Sequence, residues 1–306
     1  MKHLLVALGI ITALLIPQAG RAAQAITITP TSIDKVINPG QTIKGQTQVL
    51  NQADSPFDYK VYATPYSVTG EEYDPSFTPL PGATNVASWF TLKTAKTRLE
   101  PYSTSTLDYT ISVPAGTKPG GYYAVIFAET QSTAEGTGVT TQKRVGTIAY
   151  IRVAGDVVEQ GSVASWLVPW YQHPNLTQTV RIANTGSAHF AATIKTTIKD
   201  VFGNTKFRYT QKRNVLPEKV RRVSIEWEKT PALGLFKVDG SVEMLGKNTP
   251  LTSKYVLIIS NEIQRALVLL GALLIVIYLA KKIYRWRKAR KRQKPNKTSL
   301  ADENKK

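Results

Sequence analysis

Cysteine is absent from this chain of 306 residues, and histidine occurs only three times. The first absence excludes a disulfide framework, a thiol nucleophile and any zinc site built on cysteine. His3 falls in an N-terminal apolar stretch, which leaves His173 and His189, and neither stands in a spacing such as H-E-x-x-H. No G-x-S-x-G, S-x-x-K or phosphate-binding glycine loop occurs in a strand-to-helix setting. Acidic side chains are also sparse, 21 against 39 basic ones. The densest group, Glu71, Glu72 and Asp74 in "GEEYDPSF", lacks the D-x-D-x-D-G spacing of a calcium loop and reads as solvated. These absences predict a protein that is not an enzyme and carries no cofactor and no metal.

The excess of basic residues gives a net charge of +18, but it is concentrated. Residues 281–306 hold twelve Lys and Arg against two acids, and Lys2 with Arg21 adds two more, leaving +6 for residues 22–280. That is an ordinary surface, so a nucleic-acid partner is not expected. Directly before the basic run stands "ALVLLGALLIVIYLA", Ala266 to Ala280, with no charged side chain. At 1.5 Å per residue this covers about 22 Å, short of the roughly 30 Å hydrocarbon core. The span therefore extends over residues 263–284, with Arg265, Lys281 and Lys282 reaching toward the headgroups. Tyr284 and Trp286 suit the headgroup zone, and Arg285 and Arg287 open a basic cytoplasmic tail over 285–306.

At the other end, Lys2, an apolar stretch from Leu4 to Ile16, Pro17 and then small residues have the form of a secretory signal peptide over residues 1–25. Ala23-Gln24-Ala25 fits the cleavage rule, Gly20-Arg21-Ala22 is a second candidate, and an uncleaved anchor is the rival reading. Either way the middle of the chain lies outside a single-pass cell membrane, with the C-terminus in the cytoplasm.

Alternation of apolar and polar residues dominates that middle region, so it is expected to be all-β. Ile43, Gly45, Thr47 and Val49 alternate with polar neighbours, as do Phe57, Tyr59, Val61 and Ala63, and then Leu107, Tyr109, Ile111 and Val113. "YYAVIFAET", Tyr122 to Thr130, is apolar on both faces, as in a central covered strand, and pairs with "VGTIAYIRV" across a polar loop. Further on, Phe190, Ala192, Ile194 and Ile198 face one way, as do Val223, Ile225 and Trp227, and Phe236, Val238, Val242 and Met244. Turns fall at "NPGQ", "NQADSP", "VPAGTKPGG" and "DVFGN", where Gly203 can take positive φ. The spacing predicts two tandem immunoglobulin-like β-sandwiches, 26–157 and 158–260, followed by one transmembrane α-helix. Asn51 and Asn184 can bond their own turn backbone, and Tyr122 or Tyr123 can tie its strand to the preceding loop.

The runs "NPGQTIKGQTQVLNQADSPFDYKVYATPY" and "VPAGTKPGGYYAVIFAE" in the first half, and "LTQTVRIANTGSAHFAATIKTTIKDVFGN" and "NVLPEKVRRVSIEW" in the second, share one grammar. It is a strand, an Asn-containing turn and another strand, introduced in the first half by a Pro-Gly turn. With the signal peptide, the span and the basic tail, the chain resembles the WxL-interacting protein family of Gram-positive-type cell surfaces. "ITITPTSIDKVI", before the Pro-Gly turn, is shorter than the family's segment. The resemblance implies a wall-associated scaffold, its first domain on peptidoglycan and its second on other surface proteins. A weaker resemblance is to periplasmic pilus chaperones, which also pair two such sandwiches.

Two functions thus stand side by side. One is a non-enzymatic adhesion or scaffold protein on cell-wall polymer (peptidoglycan) and/or surface proteins; the other is a membrane-tethered chaperone or assembly factor for exported subunits. "SWLVPWYQHP" offers Trp166, Trp170 and Tyr171 beside the domain junction, either as a contact between domains or as a ligand-facing patch. The loop Ser132 to Arg144, with Glu135 and Thr137, is the candidate for a variable protein contact.

Overall fold

A computed structural model describes residues 26–79, 81–94, 97–131, 142–172 and 174–292. The described residues divide into two compact units, one drawn from 26–162, 182–191 and 214–222 and one from 163–181, 192–213 and 223–292.

The first unit begins with a change of sheet. β1 (Ile26–Thr29) runs antiparallel to β3 (Thr42–Asn51), with Ile28 opposite Val49. Three residues later β2 (Ser32–Ile37) lies parallel to β11 (Arg144–Val153) in another sheet, with Ile33 opposite Ala149. The switch falls at the cis Thr29-Pro30 bond, where proline has no N–H to give to either ladder. The short segment "ITITPTSIDKVI" therefore belongs to both sheets, and its Ile26, Ile28, Ile33 and Ile37 are all buried.

β3 continues into a sheet of order β1-β3-β9-β7, with β9 (Thr104–Ser112) and β7 (Phe90–Thr94). The facing sheet has the order β2-β11-β10-β4-β8, with β10 (Gly120–Thr130), β4 (Phe57–Pro65) and β8 (Arg98–Leu99). Leu107, Tyr109 and Ile111 from β9 meet Ala124 and Ile126 from β10 and Ala149, Ile151 and Val153 from β11 in one apolar core. β10 is central, and Val125, Ile126, Phe127 and Ala128 are buried in succession, as the unbroken apolar run predicts. A small hairpin, β5 (Ser67–Thr69) and β6 (Asp74–Ser76), follows β4.

The other two sheets have the orders β12-β13-β16 and β15-β14-β17-β18. The first comprises β12 (Gly161–Leu167), β13 (Leu176–Asn184) and β16 (Lys219–Trp227). The second comprises β14 (Phe190–Asp200), β15 (Thr205–Val215), β17 (Leu233–Met244) and β18 (Lys247–Ile259). The second unit's core gathers Leu176, Ile198, Trp227, Phe236, Val238, Val256 and Ile258. The Trp227 ring lies 6.0 Å from Phe207 and 5.3 Å, edge to face, from Phe236.

β18 leads through Ser260 into α1 (Asn261–Arg292). Ser260 caps it: its Oγ accepts from Ile263 N–H at 3.3 Å and its carbonyl from Gln264 N–H at 2.9 Å. The helix overruns the expected span at both ends. The cap starts it at Asn261, and the Lys- and Arg-rich sequence beyond Tyr284 consists largely of good helix formers. Leu267 through Leu279 are exposed on all sides, so this is a helix long and apolar enough to cross a membrane.

With no disulfide, loops are held by side chains. Asn51, 2 % exposed, donates from Nδ2 to the carbonyls of Ser55, Leu99 and Glu100 at 2.8, 3.3 and 3.0 Å, and its Oδ1 accepts from Ala53 N–H at 2.9 Å. Asn184 repeats the device: Nδ2 donates to Ala188 and Val215 carbonyls, and Oδ1 accepts from Gly186 N–H. Asn51→Ala strips these partners at once, and each orphaned buried group costs about 1–3 kcal/mol. Denaturant unfolding should show a loss of about 2 kcal/mol or more. Asn51→Asp, which keeps the acceptor but not the donors, should also lose stability.

Candidate functional site

After β4 the alternation stops, and the chain passes through Tyr66, the β5-β6 hairpin and the proline-containing loop that leads to a 3-10 turn, Val86–Trp89. These segments, the start of β10 and residues 216–219 surround a cavity of about 290 Å³ inside the first unit. Its walls are rings, Tyr66, Tyr122 and Tyr123 with Pro65, Pro79 and Pro217, backed by Val68, Val86 and Leu216. Asn85, Ser67 and Thr84 supply polar groups, and Lys219 is the one charged residue in the lining.

Each wall is fixed by a specific contact. Tyr122 packs on Trp89, 4.9 Å between centroids, and its hydroxyl donates to the Lys118 carbonyl at 2.9 Å. Of the two tyrosines proposed for tying β10 to its preceding loop, Tyr122 therefore does so. Tyr66 N–H donates to the Tyr123 carbonyl at 3.1 Å, joining the loop to β10. Tyr73, held at φ 65°, accepts at its hydroxyl from Leu216 N–H at 3.0 Å, and the Arg221 guanidinium lies 4.2 Å over its ring. Arg222 pairs with Glu71 at 3.4 Å and Glu72 at 3.0 Å, and its N–H donates to the Glu71 carbonyl. The acidic group read as solvated is thus partly engaged with arginine. Among the described residues no cluster of three or more His, Asp or Glu is placed to hold a metal.

Behind the pocket lies a second polar layer. The Tyr123 hydroxyl accepts from His189 N–H at 3.0 Å and contacts His189 Nδ1 at 3.3 Å, while Nε2 faces both Asp34 oxygens at 3.3 Å. Arg152 donates to the His189 carbonyl at 3.1 Å and pairs with Glu159. His189 is 3 % exposed, and with Tyr150 and Tyr123 it forms a buried ring cluster.

Burial pushes the phenols of Tyr66 and Tyr73 up to about 12, and that of Tyr123 further still. Tyr150 and Tyr122 are also raised by burial. At neutral pH all present neutral O–H groups and ring faces, and none is poised to exchange a proton. The site is suited to recognition by shape, ring stacking and hydrogen bonding.

The residues expected from sequence fall elsewhere. Trp166 is half-buried against the second unit's core, its Nε1 donating to Gln178 Oε1 at 3.4 Å. Trp170 is 74 % exposed and lies 5.6 Å from the Tyr171 ring. Tyr171 bridges to Leu257, and its hydroxyl accepts from Gln264 at the foot of α1. The three therefore do not form one patch. Glu135, Thr137 and His173 lie outside the described residues, as do the signal peptide and residues 293–306. Arg265, Lys281, Lys282, Tyr284, Arg285, Trp286 and Arg287 are exposed along α1. The pocket itself was missed. Its one sequence signal is the stretch "TPYSVTGEEYDPSFTPLPG", where aromatics and prolines break the alternation.

The buried phenols make stability depend on alkaline pH. Tyrosines titrating near 10 in the unfolded chain and near 12 in the folded one favour the folded state below pH 10. That contribution should be lost progressively as pH rises from about 10 to about 12. Tyrosinate absorbance should then show a set of phenols that ionise only together with unfolding.

No family model and no curated protein matches this chain. Solved structures do show similarity. A structure described as a chaperone-tip adhesin complex of CFA/I fimbriae biogenesis shares 10 % identity, with TM-score 0.38, covering 77 % of this chain and 99 % of that one. The E. coli chaperone DraB shares 16 % identity, with TM-score 0.35 over 76 % of this chain and 95 % of its own. The Pseudomonas aeruginosa CupB2 chaperone shares 11 %, with TM-score 0.35 over 75 % and 99 %. At such scores the likeness carries no inference about what this chain binds.

Proposed function

We propose that this protein is a membrane-tethered, non-enzymatic assembly factor or scaffold that captures an extended segment of an exported polypeptide. The tyrosine- and proline-walled pocket of the first unit carries the reading. Its volume of about 290 Å³ is at the lower end of ligand pockets, room for one or two side chains. Ring walls with few hydrogen-bonding groups match the aromatic grooves that accept proline-rich, extended peptides. Lys219 in the lining adds a preference for an acidic neighbour of the inserted prolyl or aliphatic side chain.

A wall-polymer role lacks comparable support. Sugar polymers are met by flat exposed aromatic surfaces, and among the described residues of the first unit Tyr102 is the one strongly exposed aromatic. The non-enzymatic reading draws on the neutral, high-pKa phenols that surround the pocket. α1 supplies the tether, with the sandwiches outside the cell and the basic end in the cytoplasm. The resemblance to WxL-interacting proteins fits the same proposal in its protein-binding half.

Full-length protein in lipid nanodiscs, probed with an array of overlapping peptides from exported proteins and separately with purified cell wall, tests this. Peptides pairing proline or aliphatic residues with Asp or Glu should be retained. Ala83→Trp, an exposed lining position, should fill the pocket and abolish retention, and Lys219→Glu should weaken it several-fold in a salt-dependent way. Retention unchanged by Ala83→Trp, or retention on wall alone, overturns the proposal.

A further inference from the structure

The exposed apolar side chains of the second unit are unevenly placed. Among the described residues of its strands and turns, the strongly exposed large ones are Leu167, Trp170, Val201, Phe202, Leu233, Leu235 and Tyr255. The registers bring them to one end. Asp200 is opposite Phe236 and Phe236 opposite Val256, so the turn after Asp200 points along β17 toward Leu235 and Leu233. Leu233 stands opposite Ile259, two residues before α1 begins. Val201, Gly203, Leu235 and Tyr255 line one depression together with Lys199, Asp200 and Lys237. On the far side of β18, the Trp170 carbonyl accepts from Leu257 N–H at 2.7 Å. Leu167 ends β12 three residues earlier.

The opposite end of the same sheet is polar. There β17 and β18 are joined by Leu245 and Gly246, and Glu243, Gly246, Lys247, Asn248 and Pro250 are exposed. Phe202, 86 % exposed, is the tip of a rigid turn. Asp200 Oδ1 accepts from the N–H groups of Phe202 and Asn204 at 3.0 and 2.9 Å, and Lys206 pairs with its other oxygen. Gly203, at φ 86°, takes the left-handed position that the turn requires. An aromatic side chain held out on a fastened turn is unfavourable in water, and its neighbours extend the patch across a sheet whose strands are about 4.8 Å apart.

We propose that this rim rests in the headgroup layer of the membrane that α1 crosses, so that the second unit docks on the outer leaflet. The inference rests on the anchorage proposed above. The chain itself names the occupant: β18 passes into α1 with Ser260 alone between them, which keeps the helix-side end of the sheet at the membrane surface. At ~3.3 Å per strand residue, the turn bearing Phe202 lies within about 10 Å of the helix start, measured along the sheet. Trp and Tyr favour the interface, and Trp170, Tyr171 and Tyr255 all belong to this end. Lateral position near the membrane would be held by the rim and vertical position by the span.

The cysteine-free chain allows single spin labels. Full-length Phe202→Cys, Asn248→Cys and Ile275→Cys proteins, labelled and reconstituted in vesicles of phosphatidylcholine and phosphatidylglycerol, report accessibility to oxygen and to a water-soluble nickel complex. The label at 275 should be shielded from nickel and the label at 248 fully open to it. The label at 202 is expected to be several-fold less accessible to nickel than that at 248, and Leu233→Asp should restore its access. Equal access at 202 and 248, with 275 shielded, overturns the docking while leaving the anchor intact. Open access at 275 overturns the anchor and the docking together. Spin-spin broadening at 202 identifies a second copy as the occupant and also overturns the proposal.

Discussion

Backbone groups in buried loops must find partners inside the fold, and in this cysteine-free chain side chains partner several of them. Asn51 and Asn184 do this with nearly the same bonds, each spending both amide hydrogens on carbonyls and its oxygen on an N–H two residues on. Tyr122 ties down the loop before β10, and Tyr73 holds the N–H of Leu216. Removal of Asn51, Asn184 or the Tyr73 hydroxyl leaves a buried donor or acceptor without its partner, which fixes these loops firmly. The pocket exists because of that requirement. Its walls are loop and strand-end residues held by hydrogen bonds and ring contacts within the first unit, so it is formed before any ligand arrives.

The same layer decides what the site can do. Charges near it pair with one another, Arg222 with Glu71 and Glu72 and Arg152 with Glu159, and the His189 ring faces the Asp34 carboxylate. The rings turned toward the cavity are neutral phenols whose ionisation burial opposes. A ligand meets shape, ring faces and O–H groups, with one ammonium in the lining. Such a lining suits recognition by shape, ring stacking and hydrogen bonding.

Much of the architecture is legible along the chain. Period-two alternation locates β3, β4, β9, β14, β16 and β17, and the unbroken run in β10 marks it as central. The turn asparagines, Gly203 and the apolar helix are equally plain. The pairing of "ITITPTSIDKVI" is not legible, because each half makes its ladder with a strand distant in sequence, β3 or β11. Nor are the orientations of Trp166 and Trp170. Four residues apart, one turns to the core and the other to solvent because β12 ends between them at Leu167.

The sequence by itself determined the class of structure, the absence of thiols and the presence of a long apolar helix. Each of these depends on composition or local period, which neighbouring residues report directly. Only the tertiary structure decided where a ligand can sit and which end of the second unit is apolar. The pocket draws Tyr66, Asn85, Tyr123 and Leu216 from four separate stretches of chain. The rim draws Trp170, Phe202, Leu233 and Tyr255 from four more. Such groupings are set by strand register and by long-range hydrogen bonds, and no local pattern encodes them.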